Sequence, residues 1–225
     1  GFSFASSFPV LARSVRLLFA EDAQIDARAF RDPPAAQEGH GPQGKEWRVE
    51  AIELPPQPTE RDLPDWYIDR PTWLVSSART WSDVVDWALP LYPSEDALPA
   101  ELEAELAFQR GRPEADRAAW ALQRVQEEVR YFATILGDSS YKPNPPRLTW
   151  ERRYGDCKDK TQLLGSLLRA LGIDAKPALV SLSGGRNLDQ MPPSATGFDH
   201  VIVTAMIDGE RLWLDPTLAW QRGHI

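Results

Sequence analysis

From Ala118 to Phe132, apolar side chains recur at three- and four-residue intervals: Ala118, Ala121, Leu122, Val125, Val129 and Phe132. That spacing puts them on one face of a helix, so "EADRAAWALQRVQEEVRYFATIL" is predicted to form one long amphipathic helix. A second stripe, Leu164, Leu167, Leu168 and Leu171, runs between Asp156 and Gly172. Asp156 is a good N-cap, Asp159 partly completes a capping box, and Gly172 suits a left-handed C-cap, which makes Cys157 the first helical residue. Two weaker helices are expected before these. In "TWSDVVDWALPLY", Ser82 can cap and Val84, Val85 and Leu89 share a face. In the acidic "PSEDALPAELEAELAFQRG", Leu98, Leu102 and Leu106 form a narrow stripe and Glu101, Glu103 and Glu105 a solvated face. The stretch "GDSSYKPNPPRLTWERRYG" reads as a loop, held extended by Pro143, Pro145 and Pro146.

Elsewhere the period is two. Residues 1 to about 80 carry the β-like segments "FSFASSFPV", "SVRLLFA" and "EWRVEAIEL", separated by punctuation such as "RDPPAAQEGHGPQGK" and "PPQPTERDLP". Near the other end, "FDHVIVTAMIDGERLWLDPT" has two alternating runs divided by Asp208-Gly209, the preferred pair for a type I′ hairpin turn. With that turn, Ile207 faces Glu210, His200 faces Thr217 and Ile202 faces Asp215. Val201, Val203, Ala205, Ile207, Leu212 and Leu214 make one apolar face. His200 and Asp215 share the other as diagonal neighbours, with Cα atoms roughly 7–8 Å apart, close enough for a carboxylate to accept a hydrogen bond from an imidazole. A one-residue slip would send them to opposite faces. The change of pattern divides the chain into a β-rich unit with a connecting helix, residues 1–92, and an α+β unit, residues 93–225.

Composition sets limits on this picture. A chain of 225 residues with 42% hydrophobic residues and nine Trp can fill two modest cores. A net charge of −8, with no dense Lys/Arg cluster, argues against a nucleic-acid partner. No apolar run approaches the roughly 20 residues of a membrane helix. The chain opens on Gly1 within a strand pattern, with neither Met nor a signal segment, and reads as a piece of a longer protein. One Cys excludes an internal disulfide framework and a Cys-rich zinc site, and His40, His200 and His224 are too scattered to replace it. No metal or cofactor is expected.

A lone Cys is ordinarily a small buried apolar residue. At a helix start, however, unpaired amides and the positive end of the helix dipole favour a thiolate, and the same amides can stabilise an oxyanion beside the sulfur. Cys157 with His200 and Asp215 would then supply a nucleophile, a base and an orienting carboxylate. A metal- or redox-sensing role lacks a second Cys or His nearby in sequence.

The run "YGDCKDKTQLLGSLLRALGIDAKPALV", followed by "FDHVIV" and "WLDPT", resembles the transglutaminase-like superfamily of papain-type thiol enzymes. The resemblance is strongest to bacterial proteins in which a β-rich domain precedes the transglutaminase-like core. It covers about residues 112 to 220 well and residues 1 to 95 only loosely. It implies an α+β fold in which the Cys-bearing helix packs on an antiparallel sheet, preceded by part of a β-rich domain. It makes Cys157 the nucleophile, His200 the general base and acid, and Asp215 the residue that orients the imidazole. It further implies a peptide or protein substrate, no cofactor, and an exported bacterial protein, although the residues themselves specify no compartment. One departure matters. Papain-type proteases place a Gln shortly before the Cys to complete the oxyanion hole, whereas residues 150–154 here are Trp, Glu, Arg, Arg and Tyr. The Cys157 amide is the first donor; Tyr131, Tyr141 and Trp150 are candidates for the second, although each taken singly reads better as aromatic packing. The expected function is thiol-dependent acyl transfer at an amide bond. Hydrolysis is favoured over amine transfer because nothing selects a Gln substrate. The alternative is a transglutaminase-like peptide-binding or scaffolding module without catalysis.

Overall fold

The computed structural model describes every residue except 43, 59, 95–96, 134–140, 220–222 and 224–225. Two compact units emerge: Gly1–Val85 with Leu182–Gly197, and Asp86–Ser181 with Phe198–Ile225. Among the described residues no helix is long and apolar enough to cross a membrane.

In the first unit, the alternating segments become strands β1 (Phe2–Ser3), β2 (Val10–Phe19) and β5 (Gly44–Leu54). Strands β3 (Asp26–Phe30), β4 (Ala36–Gly41) and β6 (Thr72–Ser76) join them in two antiparallel sheets, ordered β1-β6-β3 and β2-β5-β4. Phe4, Trp47, Val49 and Ala51 form the buried core, with Trp73 edge-on to Trp47 at 5.3 Å. Strand β4 corrects the sequence reading, because "AQEGHG" lies inside a stretch expected to be punctuation. It has no apolar alternation of its own. Its pairing with β5, from Ala36↔Val49 to Gly41↔Gly44, makes it a strand. Helix α1 (Trp81–Ala88) is capped by Thr80 rather than Ser82: the Asp83 amide donates to Thr80 Oγ1 at 3.2 Å and the Thr80 amide to Asp83 Oδ2 at 3.1 Å. Val84 is buried, while Val85 and Leu89 are exposed, so these three do not share a face.

The second unit is α+β. Helices α2 (Ala100–Gln109), α3 (Glu114–Glu128), α4 (Pro146–Arg152) and α5 (Cys157–Ala170) accompany a three-stranded antiparallel sheet. Its order is β11-β10-β9, from β9 (Ala175–Val180), β10 (His200–Ile207) and β11 (Glu210–Leu214). The short strands β7 (Arg130–Tyr131) and β8 (Tyr154–Gly155) pair in parallel. Leu163, Leu164, Leu167 and Leu168 of α5 meet Leu102, Leu106, Ala121 and Val125 on the helical side and Val203, Ala205 and Leu214 on the sheet side in one core. The hairpin has the expected register, Ile207↔Glu210 through Val203↔Leu214, and Asp208 and Gly209 take φ of 49° and 83° at the turn.

Two expectations fail in instructive ways. Helix α3 stops at Glu128, and Phe132, expected on its buried face, is exposed. Long-range partners take over there: Arg130 N–H donates to Arg153 O, Phe132 N–H donates to Gly155 O (both 2.9 Å), and the Lys160 ammonium donates to the Val129 carbonyl. Pro146 does not keep the chain extended but opens α4, where a missing N–H costs nothing in the first helical turn. On the acidic face of α2, Glu101 and Glu103 are exposed as expected, and ion pairs form there as well. Glu101 accepts from Trp150 Nε1 at 2.9 Å and pairs with Arg153 at 3.1 Å, while Glu105 pairs with Arg124 at 2.6 Å.

Candidate active site

The start of α5 is built by the capping box that its sequence suggests. Asp156 Oδ1 accepts from the amides of Lys158 (3.2 Å) and Asp159 (3.4 Å), and Asp159 Oδ2 accepts from the Asp156 amide at 3.3 Å. The Lys160 amide is used by the Asp156 carbonyl at 3.0 Å. Among the described residues this leaves the Cys157 N–H without an acceptor, beside its own half-buried sulfur. The nearby charges are committed elsewhere. The Asp156 carboxylate forms a buried ion pair with the Lys158 ammonium, and Asp159 Oδ1 accepts from the Asn144 amide at 2.7 Å. Gly155 allows this packing, since a Cβ there would lie 2.7 Å from Asp159 Cβ and 3.2 Å from Thr149 Cγ2.

Helix α5 is fixed to β10 one turn after the sulfur, where the Thr161 hydroxyl donates to Val201 O at 2.9 Å. Val201 follows His200, so this bond sets the height of the thiol relative to the imidazole. His200 Nε2 lies 3.0 Å from Asp215 Oδ2, which leaves Nδ1 for the sulfur. The imidazole is pushed up to about 9, first by its hydrogen bond to Asp215 and then by a weaker one involving Cys157, against the opposing effect of burial. Burial pushes the Asp215 carboxyl up, but hydrogen bonds from His200 and Thr217 outweigh it and hold the group below the usual carboxylate range. The Thr217 contribution is direct: its amide and hydroxyl donate to Asp215 Oδ1 at 2.8 and 2.7 Å. The structure therefore brings together Cys157, His200 and Asp215, the three residues singled out from sequence. His40 belongs to the first unit, and His224 lies outside the described residues.

Supporting groups that the sequence did not reveal surround them. Gln126, buried in α3, donates Nε2–H to the Asp215 carbonyl at 3.0 Å. Lys160 is 1% exposed, and burial pushes its ammonium down to about 8 while the Asp215 charge acts the other way. Both rely on partners far away in the chain, and neither has a local signal. Of the candidate second donors, Trp150 is in the core with its N–H given to Glu101, and Tyr141 stacks edge-on with Trp87 at 5.1 Å. Tyr131 does feel the thiol. Burial raises its hydroxyl above the usual phenol range, and the charges of Cys157, Asp156 and Asp215 add to this. Tyr92, not singled out from sequence, is raised further by burial and then by Cys157, Asp156 and Asp159. Among the described residues no group of three or more His, Cys, Asp or Glu is placed to hold a metal ion.

Comparison with known proteins agrees with the fold. A crystal structure described as that of a "putative protease" from Parabacteroides distasonis superposes with a TM-score of 0.74 at 17% identity, over 95% of this chain and 42% of that one. The chain thus spans less than half the length of that protein. A "putative cysteine protease" from Cytophaga hutchinsonii, at 16% identity over 96% of this chain and 73% of that one, gives a TM-score of 0.37. No curated protein matches the sequence. The family model of the transglutaminase-like superfamily matches residues 104–216, a span that begins in α2 and runs through the Cys157 helix to just past Asp215, and the chain belongs to that superfamily.

Proposed function

We propose that this protein carries out thiol-dependent acyl transfer at an amide bond, with Cys157 as nucleophile, His200 as general base and acid, and Asp215 holding the imidazole. The observation that carries the reading is the placement of His200 between the Asp215 carboxylate, at 3.0 Å, and the thiol of a residue whose N–H is unclaimed at a helix start. An imidazolium that persists to about 9 is the counter-charge a thiolate needs at neutral pH. The sulfur attacks the carbonyl carbon, the C–S bond forms, and the carbonyl π pair moves onto oxygen beside the Cys157 N–H. Collapse of this intermediate breaks the C–N bond, and His200 gives its proton to the departing amine. Water then attacks the thioester and passes a proton through His200 to the sulfur, releasing a carboxylic acid and restoring the thiol.

Water is the proposed acceptor, which makes the protein a cysteine protease or amidase on peptide or protein substrates, because no motif in the sequence selects a Gln substrate. The test is incubation with a peptide library, with and without methylamine, followed by mass spectrometry. Cleaved peptides that are absent with Cys157→Ala, and unaffected by methylamine, support hydrolysis. Methylamides point to amine transfer. No product, together with slow iodoacetamide labelling of Cys157, would leave a peptide-binding module.

A further inference from the structure

The reaction proposed above needs two donors for the oxyanion, and only the Cys157 N–H has been identified. The segment after α1 supplies a second. Gln162 Nε2 donates to Pro93 O at 2.7 Å, and Arg169 Nε donates to Ser94 O at 3.3 Å. Residues 94 and 93 thus lie along α5 in the direction of its N-terminus, and the next residue back, Tyr92, is carried toward the first turn. Gln162 is five residues beyond Cys157, or about 7.5 Å along the helix axis, a gap that a Tyr side chain spans. The charges that Tyr92 feels agree with this path, since they are those of Cys157, Asp156 and Asp159 at the helix start.

We infer that the Tyr92 hydroxyl is the second oxyanion donor, facing the same carbonyl oxygen as the Cys157 N–H. Two observations support Tyr92 over Tyr131. Both phenols feel Cys157 and Asp156, but Tyr131 feels Asp215 besides, whereas Tyr92 feels Asp159, the second member of the capping box, which groups Tyr92 with the start of α5. Tyr131 is 49% exposed, whereas Tyr92 is half-buried, and a donor shielded from water is worth more to a developing charge. The Tyr92 hydroxyl has no hydrogen-bond acceptor among the described residues. It also keeps its proton throughout the neutral range, as a donor must.

This inference rests on the acyl-transfer reading, and one set of measurements tells their failures apart. p-Nitrophenyl acetate acylates a reactive thiol through a tetrahedral oxyanion, whereas iodoacetamide alkylates it by displacement at carbon with no oxyanion. Both rates at Cys157 are measured by mass spectrometry in the wild type, Tyr92→Phe and Tyr131→Phe, each checked for an unchanged thermal midpoint. The expected result is an acylation rate about 100-fold lower in Tyr92→Phe, with alkylation within twofold of wild type and Tyr131→Phe little affected. Unchanged acylation in Tyr92→Phe overturns the inference, as does a parallel fall in alkylation, which would make the phenol a partner of the sulfur instead. An equal or larger loss in Tyr131→Phe assigns the role to that residue. Wild type that neither acylates nor alkylates faster than a free thiol overturns the acyl-transfer reading, and this inference with it.

Discussion

Replacing Asp215 with Asn keeps the shape of the site and removes its main electrostatic element. The carboxylate is the largest influence on His200, accepting from Nε2 at 3.0 Å and leading the rise of the imidazole from 6.5 to about 9. Each pH unit of such a shift is worth about 1.4 kcal/mol, so after allowance for solvent screening the charged ring is favoured by on the order of 2 kcal/mol. Because the folded-state value lies above the unfolded one, this stabilisation is complete below about 6.5 and is lost as pH rises through about 9. In Asp215→Asn the ring therefore titrates nearer 6.5, the basic limb of kcat/KM moves down with it, and the stability gap to wild type is wide near pH 6 and narrows toward pH 9. The chain has three His, so the His200 ring proton can be followed by NMR and assigned with His200→Gln. A wild-type midpoint near 6.5, or one that stays put in Asp215→Asn, would refute the reasoning.

Gly155→Ala places a Cβ 2.7 Å from that of Asp159, whose carboxylate is held by Asn144 and cannot easily give way. A loss of about 1–3 kcal/mol is expected, read as a lower Tm, and an unchanged Tm contradicts the packing described. For Lys160 the sign is opposite to that for His200, because its folded-state value of about 8 lies below the ordinary 10.5. The wild type should therefore gain stability relative to Lys160→Met as pH rises from about 8 to about 10.5, and denaturant titrations showing no such trend would contradict the buried ammonium. Thr161→Val removes the hydroxyl that donates to Val201 O and should cost about 1 kcal/mol. It should also slow iodoacetamide labelling of Cys157, since the thiol loses its fixed height beside His200; a labelling rate equal to wild type would show that Thr161 does not set that height.

The parts of this site that could be read from sequence are those governed by local rules. Asp208-Gly209 dictates a turn, the turn dictates the register, and the register puts His200 and Asp215 on one face. Asp156 and Asp159 mark the start of α5 for the same reason, as their caps close within three residues. The remainder depends on partners far away in the chain. Whether Val129 continues a helix or turns extended is decided by Lys160, 31 residues on, and by the carbonyls of Arg153 and Gly155. The Pro93 carbonyl, next to Tyr92, is held by Gln162, 69 residues away. Strand β4 exists because β5 offers it a complete ladder, and a run of Ala, Gln, Glu, Gly and His has no periodicity to announce it.

The connection between β9 and β10 has a consequence for how such a protein can change over time. The chain passes between the two units three times, at 85–86, 181–182 and 197–198, and the strand bearing His200 begins two residues after the last crossing. No single cut separates the units, since excising residues 1–85 would strand Leu182–Gly197 without the partners it packs with. Recombination, which exchanges contiguous segments, therefore has no clean junction here. The β-rich unit and the thiol-bearing unit would be inherited, duplicated or lost together, as one indivisible cassette.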